Sequence, residues 1–241
     1  MRSNRMTAAD GDGLDSLAPI GRETVQDRIY NYLRDALIRG AFEAGEVFLP
    51  GDIAKRMSVS SMPVREALAR LVSERALETM PNRRVRVPML SRDKARDIAR
   101  SRTLIERDLA ARATLVLRPD DLQRLESLTV DYEAAGDYRS VTDLNHAFHF
   151  ALYEQAGSAV LLPFVESLWM QAGPYVRAAA RLHRPLTDAA ATLHHRGILE
   201  GLRSRDPERV AGELEADILQ AFAILDRAGP EVWEAMEGAQ A

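Results

Sequence analysis

Apolar residues recur at helical spacing along most of this 241-residue chain, and the exceptions lie near its N-terminal end. Val25, Ile29, Leu33 and Leu37 return every four residues. That predicts a helix over about 22–39 with one apolar face. Gly40 stands where a C-terminal cap is wanted. Gly45 then leads into Val47-Phe48-Leu49, a turn and a short strand, and Pro50 opens a second helix through Asp52–Met57. After Ser58-Val59-Ser60 comes a third helix. Ser60 and Ser61 can cap its start by accepting backbone N–H bonds. Pro63 falls in its first turn, where a missing N–H costs nothing. Val64, Ala67, Leu68 and Leu71 form its apolar stripe, leaving Arg65 and Arg70 to face solvent or a ligand. Leu77–Met80, the loop Pro81-Asn82-Arg83-Arg84 and Val85–Val87 predict a hairpin with arginines at its tip.

Beyond Pro88-Met89-Leu90 no strand-like alternation persists. Ser91 can cap the first of six predicted helices, at about 91–117, 119–135, 138–156, 158–183, 186–204 and 207–228. The breaks carry Pro119, Gly136, Gly157, Pro185 and Pro207, while Pro163 and Pro174 are positioned to kink the fourth helix. The fold class is therefore mainly α. An N-terminal winged helix-turn-helix over 21–88 precedes a C-terminal all-α bundle over 91–230. Residues 1–20 mix Gly, Asp, Ser and Ala without an apolar period and are expected to form a disordered tail.

A short helix with a buried back and outward arginines suits a DNA major groove. A basic hairpin after it can reach sugar-phosphate. Charge supports this locally rather than globally. The net charge is −4, yet Ala54–Arg86 holds eight basic residues against three acidic ones. That stretch is the patch expected of a surface that meets phosphates. The absence of cysteine excludes disulfides and thiolate metal sites. No apolar run reaches the roughly 20 residues of a membrane span, and the N-terminus lacks a secretory signal, so a cytoplasmic protein is expected.

All five histidines fall in the second half: His146, His149, His183, His194 and His195. Asn145 and His149, four apart, share a helix face. His195 lies on a later helix and Asp217 on the last. A bundle pointing these inward can hold a divalent ion of the Zn, Ni or Mn type; the same groups could instead be buried polar residues bonded around a water. His146 falls on a neighbouring face and His194 should point away. Arg102 inside a helical pocket would take a carboxylate bidentately. On a surface it would pair with Glu106, worth roughly 0.3–0.5 kcal/mol.

These residues resemble known families. Pro63-Val64-Arg65-Glu66-Ala67-Leu68, Arg70-Leu71 and the wing Pro81-Asn82-Arg83 are similar to the DNA-binding domain of GntR-type bacterial transcription regulators. The resemblance implies DNA contacts from Ser60, Ser61, Met62, Arg65, Asn82 and Arg83. Many members carry arginine where this chain has Ser61 and a wing glycine where it has Arg84, so the operator sequence should differ. Arg102-Thr103-Leu104-Ile105-Glu106, Phe148-His149, His195-Arg196-Gly197-Ile198-Leu199 and Leu214–Ile218 resemble the helical ligand-binding domain of the fatty-acid-regulator (FCD) branch. That branch implies an Asp-and-three-His metal pocket, which here becomes Asn145, His149, His195 and Asp217.

The expected function is a ligand-responsive transcription regulator. It would be a homodimeric repressor that binds a double-stranded DNA operator and is released by a small organic acid. Two rivals are a metalloenzyme built on the helical half, for which no nucleophile or separate base is found, and an architectural DNA binder without an effector.

Overall fold

The computed structural model describes residues 24–89, 91–182 and 192–237. The tail expected over 1–20 and His183 lie outside them.

The head begins with α1 (Val25–Ile38), started by a reciprocal cap in which Thr24 and Asp27 bond each other's backbone N–H. It ends at Gly40, whose φ is +62°. The N–H of Ala41 bonds the carbonyl of Ala36, and that of Gly40 the carbonyl of Leu37, closing a Schellman turn. Then come β1 (Val47–Phe48), α2 (Pro50–Met57) and α3 (Ser61–Ser73). Strands β2 (Glu78–Met80) and β3 (Arg84–Arg86) flank a single helical turn, Pro81–Arg83. The strands form an antiparallel sheet of order β1-β3-β2. Leu37 of α1 and Val64, Ala67, Leu68 and Leu71 of α3 are fully buried together. Ser60 occupies the N-cap position of α3, but its side chain bonds no backbone N–H. The expected hydroxyl cap is absent there.

The body is α4 (Arg92–Val116), α5 (Pro119–Ala134), α6 (Tyr138–Gln155), α7 (Leu161–Leu182), α8 (Leu193–Ser204), α9 (Pro207–Arg227) and α10 (Pro230–Glu237). Ser91, Asp137 and Asp206 cap α4, α6 and α9 through their side chains. Helix α4 packs on α9, α7 and α6, and α8 packs on α9 and α5. Helix α8 is described from Leu193; its expected start at 186 lies in 183–191, outside the described residues. Helix α10 was not expected. It is held by Trp233, 4% exposed, beside Tyr175.

Helix α7 also docks the head. Gly173 lies so close to α1 that a Cβ there would come 2.1 Å from the Leu37 carbonyl oxygen. Arg177 Nη1 donates to the carbonyls of Gly40 and Ala41, both at 3.0 Å. Arg34 on α1 meets Glu166 on α7 at 3.5 Å.

Candidate functional site

The body's polar residues converge between α4, α6, α7, α8 and α9. His149 on α6, His195 on α8 and Asp217 on α9 offer ligand atoms that all lie within 4.8 Å of one another. His149 Nε2 stands 2.9 Å from one Asp217 oxygen and His195 Nε2 3.6 Å from the other. These separations bracket the roughly 3.4 Å between donors of a tetrahedral ion with bonds near 2.1 Å. Both histidines are buried. Yet among the described residues His149 Nε2 and both ring nitrogens of His195 meet no partner in good hydrogen-bond geometry. Buried polar atoms normally find one, so three orphaned nitrogens around one carboxylate form a donor set that fits a divalent cation.

The charges match. Burial drives His195 down to about 4, which keeps the imidazole neutral. Burial would raise Asp217, but His149, 2.9 Å away, outweighs it and holds the carboxyl below its usual range. Neutral imidazole and ionised carboxylate are the forms a metal binds. Asn145 lines the cavity beside Asp217, together with Arg102, Tyr132, Thr142 and Gln220. The cavity is about 80 Å³, and its remaining wall is apolar, with Val176, Ala179 and Ala180 supplied by α7. The architectural alternative, with a filled body and no cavity, is therefore set aside.

Arg102 combines the two expectations. It is buried and lines the cavity, and one edge of its guanidinium is paired with Glu106. Nε and Nη2 donate to the two oxygens of Glu106 at 2.7 and 3.1 Å, and the guanidinium lies 4.2 Å over the Trp169 ring. Two hydrogens on Nη1 and the second on Nη2 have no partner among the described residues, so the Nη1–Nη2 edge can still offer a carboxylate two N–H groups. His194 bonds Glu213 at 2.9 Å, away from the centre. His146 packs against Phe150 and Trp169, and burial lowers it to about 4. Tyr153 and Tyr132 were missed, and Glu106 was expected only as a surface partner of Arg102. Tyr153 had one signal, its i+4 spacing from His149.

In the head, Ser60, Ser61 and Met62 are exposed at the start of α3, and Arg65 is half-buried with no ion pair among the described residues. Asn82 and Arg83 are exposed at the wing tip, both with left-handed φ, 61° and 60°. Arg84 is extended at φ −86°, so its position demands no glycine. Arg70 is exposed, as expected, but it is engaged within the head. It pairs with Glu74 at 3.2 Å and covers the Tyr30 ring at 3.6 Å.

Residues 25–87 match the model for bacterial regulatory proteins of the gntR family, and residues 97–220 match that for the FCD domain. The chain is a GntR-family regulator of the FCD class. Among its relatives is the HTH-type transcriptional regulator McbR of Escherichia coli strain K12. The two are 29% identical over 82% of this chain and 91% of McbR. The HTH-type transcriptional repressor GlaR of the same strain is 25% identical over 83% of this chain and 94% of its own. A solved structure of E. coli McbR/YncC superposes with a TM-score of 0.80 at 28% identity, covering 85% of this chain and 98% of that one. This GntR–FCD chain is thus a DNA-binding transcription regulator and not a metalloenzyme. No helix among its described residues is long and apolar enough to cross a membrane.

Proposed function

We propose that this regulator is a cytoplasmic homodimeric repressor whose grip on a palindromic operator is released by a small organic acid bound at a metal centre. On DNA, Ser60, Ser61, Met62 and Arg65 would enter the major groove, and Asn82 and Arg83 would meet the backbone beside it. The exposure of Ser60, Ser61, Met62, Asn82 and Arg83, and the lack of ion pairs for Arg65 and Arg83 among the described residues, support this.

His149, His195 and Asp217 would hold a Zn, Ni or Mn-type ion. Asn145, an amide oxygen in place of a carboxylate, would be the weakest ligand. When bound, the ion supplies a Lewis-acidic anchor for a carboxylate oxygen. Arg102 can add the hydrogens of its Nη1–Nη2 edge, and Tyr132 and Thr142 offer further polar contacts. A cavity of about 80 Å³ suits an acid of a few carbons.

Helix α7 connects the two functions. Its Val176, Ala179 and Ala180 wall the cavity, while its Gly173 and Arg177 hold the end of α1. A ligand that favours one placement of α7 then favours one placement of the head. For the second copy we favour the groove between α4 and α9. There Leu104 (70% exposed) and Leu219 (43% exposed) are rimmed by Arg96, Arg100 and Glu208, an apolar centre with a mixed-charge rim.

The observation that carries the reading is the cluster of orphaned imidazole nitrogens around Asp217. Metal-stripped protein should gain thermal stability with Zn²⁺, Ni²⁺ or Mn²⁺, and again with a short-chain carboxylic acid once the metal is present. A ligand at 100 times its Kd adds about 2.7 kcal/mol. His149→Ala and His195→Ala should lose the metal response. Equal metal content in wild type and both variants would remove the site. The same acid should weaken a mobility shift with DNA from upstream of the protein's own gene; no shift at low salt would overturn the DNA reading.

A further inference from the structure

Behind His149 lies a chain of buried hydrogen bonds whose directions can be counted. The Glu106 carboxylate accepts from Arg102 Nε at 2.7 Å, Arg102 Nη2 at 3.1 Å, Trp169 Nε1 at 3.1 Å and Tyr153 OH at 2.5 Å. Four donors fill its four lone-pair directions. Facing the Arg102 fork, it has no hydrogen of its own to give. The single hydroxyl hydrogen of Tyr153 is therefore spent on Glu106.

The Tyr153 oxygen also lies 2.9 Å from His149 Nδ1. With its hydrogen committed, that oxygen can only accept, so Nδ1 must carry the imidazole hydrogen. The other nitrogen, Nε2, is then the one left to face Asp217, 2.9 Å from its oxygen. In metal-free protein a proton can bridge that gap, and a metal ion would take its place. We infer that Tyr153 and Glu106, neither of them a ligand, are positioning residues that fix His149 as its Nδ1–H tautomer and so present Nε2 for metal. Arg102 and Trp169 anchor Glu106 in turn. This rests on the metal reading proposed above, and it means that Arg102 holds the relay as well as walling the cavity.

The test uses full-length, metal-stripped protein with ¹⁵N-labelled imidazoles. In alkaline buffer, long-range ¹H–¹⁵N NMR of the wild type should show the single His149 hydrogen on Nδ1 and none on Nε2. A bare Nδ1 with the hydrogen on Nε2 overturns the inference, whatever the metal result. Tyr153→Phe keeps the ring and removes the acceptor. It should broaden His149 into a mixture of tautomers and weaken Zn²⁺ binding about 10–100-fold in a chelator competition. An unchanged tautomer with unchanged Zn²⁺ affinity in Tyr153→Phe overturns the relay. Wild type that takes up no Zn²⁺ overturns the metal reading alone, because the wild-type spectrum still decides the tautomer.

Discussion

In the head, Ser60, Ser61, Met62, Asn82 and Arg83 stand on the surface, and no described residue there buries a polar or charged side chain in the core. In the body, Arg102, Glu106, His149 and His195 sit inside the core, each at most 3% exposed. The head's chemistry rests on its fold, whereas the body's chemistry is part of its packing. Substitutions should therefore separate function from stability in the first region and join them in the second.

The largest effect is expected from Arg102→Ala, which strands a buried carboxylate. Loss of about 3–5 kcal/mol in chemical denaturation is expected, and a loss under 1 kcal/mol would break the contrast. Acid should come next. Burial holds His195 and His146 near 4, against about 6.5 in an unfolded chain. Their neutral forms stabilise the fold fully above about 6.5. The unfolded chain binds the extra protons below that, so stability falls as pH drops toward 4, on the order of 2 kcal/mol per histidine. The head contains no histidine. In metal-stripped protein, acid should therefore loosen the body, read by tryptophan fluorescence, while the head keeps its protection in hydrogen exchange.

Gly173→Ala should cost about 1–3 kcal/mol, since its Cβ would meet a backbone carbonyl that no rotamer change can move. It should also raise proteolysis between the two halves. Arg65→Ala should weaken operator binding by about 1–3 kcal/mol in fluorescence anisotropy, with the melting temperature unchanged. A fallen melting temperature would mean that the head resembles the body after all. Arg70→Ala is the smallest. Its charge is engaged by Glu74 and Tyr30, so a loss below about 1 kcal/mol in stability is expected, with operator affinity nearly intact.

The same contrast explains what could be read in advance. The head's elements follow from Val25–Leu37, Pro50, Pro63 and the loop at Asn82, all local signals. The helices of the body were legible to within a few residues where proline or glycine marks their ends. Helix α10 was not, because eight residues around Trp233 carry little periodicity and are held by tertiary packing on Tyr175. Arg102 and Glu106 were legible as an i, i+4 pair, but not as buried. Their register gave the clue, since Ala95, Ile98, Ala99, Leu109, Ala110 and Ala113 place them in the middle of the buried face of α4. The meeting of His149, His195 and Asp217 depends on how three helices pack. Spacing along one chain cannot supply that, and only the family resemblance brought them together. The contact of Arg70 with Tyr30 was not legible because that ring comes from α1.

At Gly40 and Gly173 two main chains touch with no side chain between them. Exchange of halves between homologous regulators is thus constrained in a way that the linker at 88–91 does not reveal. A chimera spliced there would join foreign surfaces at α1 and α7. To work, it must transplant the Leu37–Ala41 corner and the Gly173–Arg177 turn as one matched set.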